Sequence, residues 1–340
     1  MEPPQTMKAA LVTAYNEPLI VKDVATPEPG PGQILVRVKA SSLCMSDIGG
    51  YVGAMGEFIT LPYCPGHEPA GEIVALGDNV SGFSVGDRVT YMAALDPCMG
   101  CRDCLRGAIR FCSKRSNLGF SHQYGGFSEY SLASPYSMAK VPDELSLEEA
   151  ASMSCAGVTA FGALKLLSKY QAPGGIINVL GCGGVGHLVI KFAVALGYTV
   201  HAFDINDGKL KLAEECGASK AFLSKGDPTQ AMMAESTIVI SGVNAAYDFA
   251  IKATLAGGRI IAIGHPHSAT PMPLGSMIIN DISLIVSNQG TRVDLQEALD
   301  FAARSGVRPN ITINEGLDGI NQGYKSVMTG AVEGRLVYKF

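Results

Sequence analysis

The side chains best suited to chemistry fall into two groups of metal-ligand type. One is compact: Cys98-Met-Gly-Cys101-Arg-Asp-Cys104, then Cys112 after seven intervening residues. Four thiolates in one loop close a tetrahedral zinc site and leave no room for substrate, so a metal held there is structural. An iron–sulfur cluster or two disulfides are the other chemistries open to that spacing. The second group is dispersed over Cys44-Met-Ser46-Asp47, Pro65-Gly66-His67-Glu68 and Ser154-Cys155-Ala-Gly-Val-Thr159. Two thiolates and an imidazole leave a zinc ion one open position, where a ligand can react. Sequence distance does not by itself bring Cys44, His67 and Cys155 together; taken singly, each is more often a buried thiol or a core histidine.

A third stretch is built to approach phosphate. Gly181-Cys-Gly183-Gly184-Val185-Gly186 follows the apolar run Ile176–Leu180 and precedes helical spacing through Val189, Phe192 and Leu196, which reads as strand, tight loop and helix. The glycines let backbone N–H groups reach a pyrophosphate, and the helix start adds partial positive charge. A second strand, Thr199–Phe203, ends in Asp204, whose carboxylate suits both hydroxyls of an adenosine ribose and repels a 2′-phosphate. NAD(H) is therefore expected over NADP(H). The alternative is a glycine turn between a core strand and a core helix.

These groups need two kinds of scaffold. Before residue 150, Ile34, Val36, Val38 and Ala40 alternate with Leu35, Arg37 and Lys39 after the Pro/Gly turn 27–32, and short strands follow at Ala70–Leu76 and Arg88–Met92. That is a β-rich domain. From Ala150, strand-like runs at Ile176–Leu180, Thr199–Phe203, Ala221–Leu223, Thr237–Ile240, Arg259–Ile263 and Ile282–Val286 are separated by helical stretches such as Asp207–Cys216 and Ala245–Leu255. Such alternation predicts a doubly wound parallel sheet. A helix around Asp294–Arg304 and a last strand, Gly334–Phe340, are expected to return to the first domain. The predicted division is α/β, with 1–152 and 288–340 forming the β-rich domain and 153–287 the parallel-sheet domain.

The 340 residues carry 26 basic against 31 acidic side chains, a balance that offers no field to nucleic acid or to an anionic membrane. A small molecule is the expected partner. The N-terminal stretch lacks a basic-then-apolar signal and the apolar runs are interrupted, so a cytoplasmic location is expected. Nine cysteines in a reducing compartment favour metal or catalysis over disulfides.

Taken together, Cys44-x-Ser46-Asp47, Gly66-His67-Glu68, Gly86-Asp-Arg-Val89, the four-cysteine lobe, Cys155 with Thr159, and the glycine loop with Asp204 occur in the order of one family. Over nearly its whole length the chain resembles the zinc-dependent medium-chain alcohol dehydrogenases, of the medium-chain dehydrogenase/reductase superfamily, for which Cys₂His is a catalytic ligand set. The resemblance implies a GroES-like catalytic domain with an inserted Rossmann domain and an active site in the cleft between them. It implies two zinc ions: a catalytic one on Cys44, His67 and Cys155, with Glu68 behind it as an occasional ligand, and a structural one on Cys98, Cys101, Cys104 and Cys112. It further implies that Asp47 holds the second ring nitrogen of His67, that Ser46 takes the alcohol proton, and that Val185, Thr159 and the backbone at Ile263 flank the nicotinamide. Lys209 would reach the adenosine ribose and Arg335 the pyrophosphate.

The chemistry implied is hydride transfer between NAD(H) and an alcohol/aldehyde or ketone pair, with zinc polarising the oxygen. Two positions depart from the family: Gly49 stands where many members have a relay histidine, and Met45 where many have a basic residue. The loop Gly49–Phe58 stands where relatives often carry tryptophan, and this chain has none; a substrate bulkier than ethanol is expected. Reduction of a conjugated C=C or an imine, or metal and nucleotide binding without turnover, are the rival readings. A homodimer or homotetramer is expected from the resemblance alone. His122, His265 and His267 have no assigned role beyond a possible proton carrier at His265, and Cys64, Cys182 and Cys216 read as buried thiols.

Overall fold

Ile34–Leu43 is a ten-residue strand in which Arg37 alone is exposed. Its alternation is weaker than a half-solvated strand requires because both faces are covered. Ile34 and Val36 enter a cluster with Ile73, Phe83, Val89, Tyr91 and Met138, while Leu35 packs with Leu95 and Leu132 on the other side. The computed structural model describes residues 3–121, 124–266 and 268–340; His122 and His267 lie outside the described residues.

By its own contacts the chain divides into two units. The first comprises Met1–Cys155, Thr291–Ala303 and Ile311–Phe340, and the second Ala156–Gly290 with Arg304–Asn310. The borders fall three residues beyond those predicted from sequence, and the chain crosses into the second unit once more for the short segment 304–310.

In the first unit a seven-stranded sheet runs in the order Ile311–Glu315, Arg335–Lys339, Ile34–Leu43, Pro69–Leu76, Arg88–Tyr91 and Met138–Lys140, with Tyr130–Ala133 also on Ile34–Leu43. Only the first pair is parallel. Thr6–Leu11 and Ile20–Ala25 form a separate antiparallel ribbon, which the sequence reading did not anticipate.

In the second unit six strands, all parallel, run in the order Lys220–Leu223, Thr199–Asp204, Ile176–Leu180, Ala234–Val239, Thr254–Ala262 and Ser283–Val286. That order reverses at Ile176–Leu180, the topological switch point at whose carboxyl ends such sheets bind ligands. Strand Thr254–Ala262 stops one residue short of Ile263.

One helical run carries the chain from the first unit to the second. Ser146 caps it, accepting from Glu149 N–H in a reciprocal capping box. The helix Leu147–Ser152 opens into a five-residue π turn, Met153–Gly157, before Val158–Leu167. The run is long and apolar enough to cross a membrane by length and composition alone, and 72% of its apolar window is buried inside the protein, as a core helix requires.

Candidate active site

Three separate elements of the first unit supply one ligand cluster. Cys44 ends the strand-to-helix turn as the N-cap of Met45–Tyr51, His67 follows the turn at Gly66, and Cys155 lies in the π turn, a distortion frequent at functional sites. Ligand atoms of Cys44, His67, Glu68 and Cys155 all lie within 4.8 Å of one another. Gly66 is required where it stands: its φ is +96°, and a Cβ there would lie 2.6 Å from Phe127 N.

Asp47, fully buried, organises this cluster. Its Oδ2 accepts from Cys44 N–H at 3.0 Å, and its Oδ1 accepts from Gly66 N–H at 3.1 Å and stands 2.9 Å from His67 Nδ1. One carboxylate thus ties both ligand-bearing turns together and leaves Nε2 of His67 for a metal. Burial pulls the His67 imidazole down, but the charge and hydrogen bond of Asp47 outweigh it and hold the ring well above its ordinary pKa. The neighbouring Cys155 thiol draws Cys44 well below the usual thiol range, and Cys44 in turn, with burial, pushes Cys155 up. Thiols this close cannot both ionise without a cation between them. The two sulfurs and one imidazole nitrogen, with no third thiol in the cluster among the described residues, suit zinc with an open position.

Glu68 is fully buried beside the ligands, its Oε1 3.9 Å from His67 Nε2 and without a hydrogen-bond partner among the described residues. Burial raises its carboxyl to about 8, against the opposing pull of Arg335. Arg335 is held from within the first unit. Its guanidinium, assigned by resemblance to a pyrophosphate, is only 4% exposed and is bonded to Glu68 Oε2 and to Ser42 Oγ. A buried carboxylate demands that counter-charge. The Ser42–Glu68–Arg335 network was invisible in sequence, its members lying up to 293 residues apart. Ser46 is half-buried on the Cys44 helix, and Met45 beside it is exposed.

The second cysteine group occupies a lobe bounded by the paired strands Ala94–Leu95 and Ser116–Asn117. Ligand atoms of Cys98, Cys101, Cys104 and Cys112 lie within 4.8 Å of one another, and all nine cysteines of the chain are free of disulfides. Cys98 N–H points at Cys112 Sγ at 3.4 Å. This contact and other backbone donors lower Cys112 to about 6, while burial and its thiol neighbours push Cys104 to about 12. Backbone N–H groups directed at sulfur favour thiolate, the form that binds metal.

The glycine loop belongs to the second unit. Gly181 has φ +98°, and a Cβ on Gly186 would stand 1.8 Å from Gly181 O, so helix and strand meet only through glycines. At Gly183 a Cβ would enter a space whose nearest atom is Lys209 Nζ at 3.9 Å, an open cradle beside a cation that fits a phosphate. Gly184 and Val185 complete the loop, Val185 as the N-cap of Gly186–Ala195. Asp204 Oδ2 accepts from Cys182 N–H at 2.8 Å, and Oδ1 from Ile205 and Asn206 N–H at 2.8 and 3.1 Å. The acid therefore braces the loop as well as facing a cavity of about 300 Å³ lined by Gly181, Ile205, Ser224, Val243 and Phe249 among others. Thr159 is buried on Val158–Leu167, Ile263 N–H donates to Val239 O at 2.9 Å, and His265 is exposed. Cys64, Cys182 and Cys216 are buried, and burial pushes the first two thiols up to about 12.

The Gly49–Phe58 loop packs Tyr51 and Met55 on the core of the first unit, with Tyr51 edge-on to Tyr324 at 5.3 Å. Phe58 stays exposed. A Cβ on Gly49 would meet only the Met55 methyl, at 3.5 Å.

Comparison with known proteins gives concordant matches. A family model described as an alcohol dehydrogenase GroES-like domain matches residues 30–143, and one described as a zinc-binding dehydrogenase matches residues 184–304. An alcohol dehydrogenase of Geobacillus stearothermophilus is 37% identical over 339 residues, spanning 98% of this chain and 99% of its own. Among solved structures, the alcohol dehydrogenase of the archaeon Aeropyrum pernix aligns with a TM-score of 0.90 at 30% identity, over 98% of this chain and 100% of its own. An acetophenone reductase from Geotrichum candidum, solved in complex with NAD, aligns with a TM-score of 0.88 at 26% identity over 100% and 99%.

Proposed function

We propose a coenzyme, a substrate class and a division of labour for this chain, which belongs to the zinc-dependent medium-chain alcohol dehydrogenases. It is an oxidoreductase of that zinc type. Our reading is that it uses NAD(H) to interconvert a primary alcohol bulkier than ethanol and its aldehyde, holding two zinc ions per chain. The observation that carries the reading is the Cys44/His67/Cys155 set, braced by Asp47 and with no third thiol among the described residues.

Zinc on those ligands supplies a Lewis acid for the substrate oxygen, and the coenzyme supplies the hydride or accepts it. Asp47 holds the Nδ1 proton of His67 and keeps Nε2 aimed at the metal. Ser46 Oγ takes the proton of the alcohol. Gly49 in the relay position offers no side chain to carry that proton onward, so its exit from Ser46 would fall to water or a group of the bound coenzyme. Glu68, balanced by Arg335, sets the charge behind the ligands and would be the carboxylate within reach of the metal. Asp204 excludes a 2′-phosphate, Lys209 meets the adenosine ribose, and Val185, Thr159 and the Ile263 backbone bound the nicotinamide. Withdrawal of Tyr51 and Met55 onto the core supports a roomier substrate pocket.

The test is NADH consumption, followed by absorbance, by zinc-replete protein offered aldehydes from acetaldehyde to cinnamaldehyde and a few ketones. Turnover rising with bulk, and NADPH a poorer donor, is the expected result. Silence across the series with NADH bound, or equal use of NADPH, overturns the corresponding part of the reading.

A further inference from the structure

His187, completely buried, is the second residue of Gly186–Ala195 and has no part in the chemistry above. Its partners fix its protonation state. Asn310 N–H donates to Nε2 at 3.1 Å, so Nε2 carries the lone pair. The ring proton is then on Nδ1, which stands 3.1 Å from Gly183 O and donates to it. The His187 backbone N–H donates to the same carbonyl at 3.0 Å. One residue therefore fastens the Gly183 carbonyl twice.

A trans peptide is planar, so fixing the Gly183 C=O also fixes the Gly184 N–H, which points the opposite way, out of the helix N-terminus. That N–H is among those that meet a pyrophosphate. Between two glycines no side chain limits rotation of this peptide, and Gly183 has open space around it. Some other group must hold it if the donor is to be aimed before the ligand arrives.

We propose that His187 is the positioning residue of the coenzyme-pyrophosphate loop, acting through the Gly183 carbonyl, with its tautomer set by Asn310. The proposal rests on the coenzyme reading above and deepens it. It also gives a use to the segment Arg304–Asn310, which returns to the second unit for seven residues. Lys191, one helical turn beyond His187, donates to Arg308 O at 2.9 Å and bonds Asn310 Oδ1, so the segment that presents the Asn310 N–H is itself held down.

Calorimetric titration of ADP-ribose into the wild-type chain, His187→Asn and His187→Gln tests this. In His187→Asn the side-chain amide nitrogen stands near the Nδ1 position and keeps a donor for Gly183 O; in His187→Gln the amide reaches toward Asn310 and that donor is lost. A hydrogen bond of ordinary strength predicts roughly tenfold weaker ADP-ribose binding for His187→Gln and a change under about threefold for His187→Asn. The KM for NADH should follow the same order, with kcat at saturating coenzyme within about twofold. Nitrogen-15 NMR of the wild-type ring should show a neutral imidazole protonated on Nδ1, a measurement that needs no variant. Equal losses in both variants, an unchanged His187→Gln, or a ring protonated on Nε2 overturns the proposal. A wild-type chain that fails to bind ADP-ribose overturns the coenzyme reading and this one with it, whereas wild-type binding with unchanged His187→Gln overturns this one alone.

Discussion

In the lobe around Cys98–Cys112 all four ligands come from one loop, a hairpin closes its base and backbone N–H groups already point at sulfur. Around Cys44, His67 and Cys155 the ligands come from a helix cap, a glycine turn and a π turn dispersed between residues 44 and 155, and one buried carboxylate holds two of those turns. Both groups crowd thiols so that one is drawn down while another is pushed up. They differ in what completes the coordination. The lobe provides its own fourth sulfur, whereas the dispersed group offers a buried Glu68 that Arg335 engages. A local, self-sufficient site suits a structural metal, and a site assembled from distant elements can leave a coordination position to substrate.

Substitutions can break that contrast. Cys44→Ala is expected to remove on the order of 10³-fold from kcat/KM, corresponding to loss of several kcal/mol of charge stabilisation. The protein should keep one zinc per chain by elemental analysis; full activity would dismiss the dispersed group as the catalytic site. Asp47→Asn sharpens the comparison, because whichever carboxylate oxygen becomes NH₂ faces either the Cys44 N–H or the Gly66 and His67 donors. Apo-protein titrated with zinc should show one site weakened about 10–100-fold and the other unchanged. Cys112→Ser should have the smallest effect on turnover by the remaining folded protein, within about twofold, yet lower the melting temperature by on the order of 5 °C and open 98–112 to proteolysis. If instead Cys112→Ser abolished activity while the melting temperature held, the two sites would have to exchange roles.

Much of this was legible because it is local. The glycine loop lies in a strand–turn–helix whose apolar spacing changes period within a few residues, and Ile176–Leu180 was predicted with the bounds it has. The lobe cysteines are close in sequence, so their spacing alone announces a site. Convergence of Cys44, His67 and Cys155 was legible only through resemblance, since hydrophobic periodicity says nothing about which turns meet. The burial of Arg335 was not legible, because resemblance assigned it only a ligand and the buried partner that makes its burial tolerable, Glu68, lies 267 residues away. His187 drew no reading from the sequence, because its partners, a loop carbonyl and the Asn310 N–H, are backbone groups that leave no mark there.

Strand Arg335–Lys339 lies between Ile311–Glu315 and Ile34–Leu43 in the first unit's sheet, and Arg335 is made 293 residues after Ser42, to which it bonds. At roughly 5–20 residues per second of translation, the delay is about 15–60 s. Through that interval a nascent first unit holds the Ala40–Leu43 part of its longest strand without its partner on one edge and Glu68 without its counter-charge. The second unit's main segment, 156–290, is contiguous and complete well before. Synthesis thus sets the order of maturation: the second unit can form while the first waits for the strand that carries Arg335.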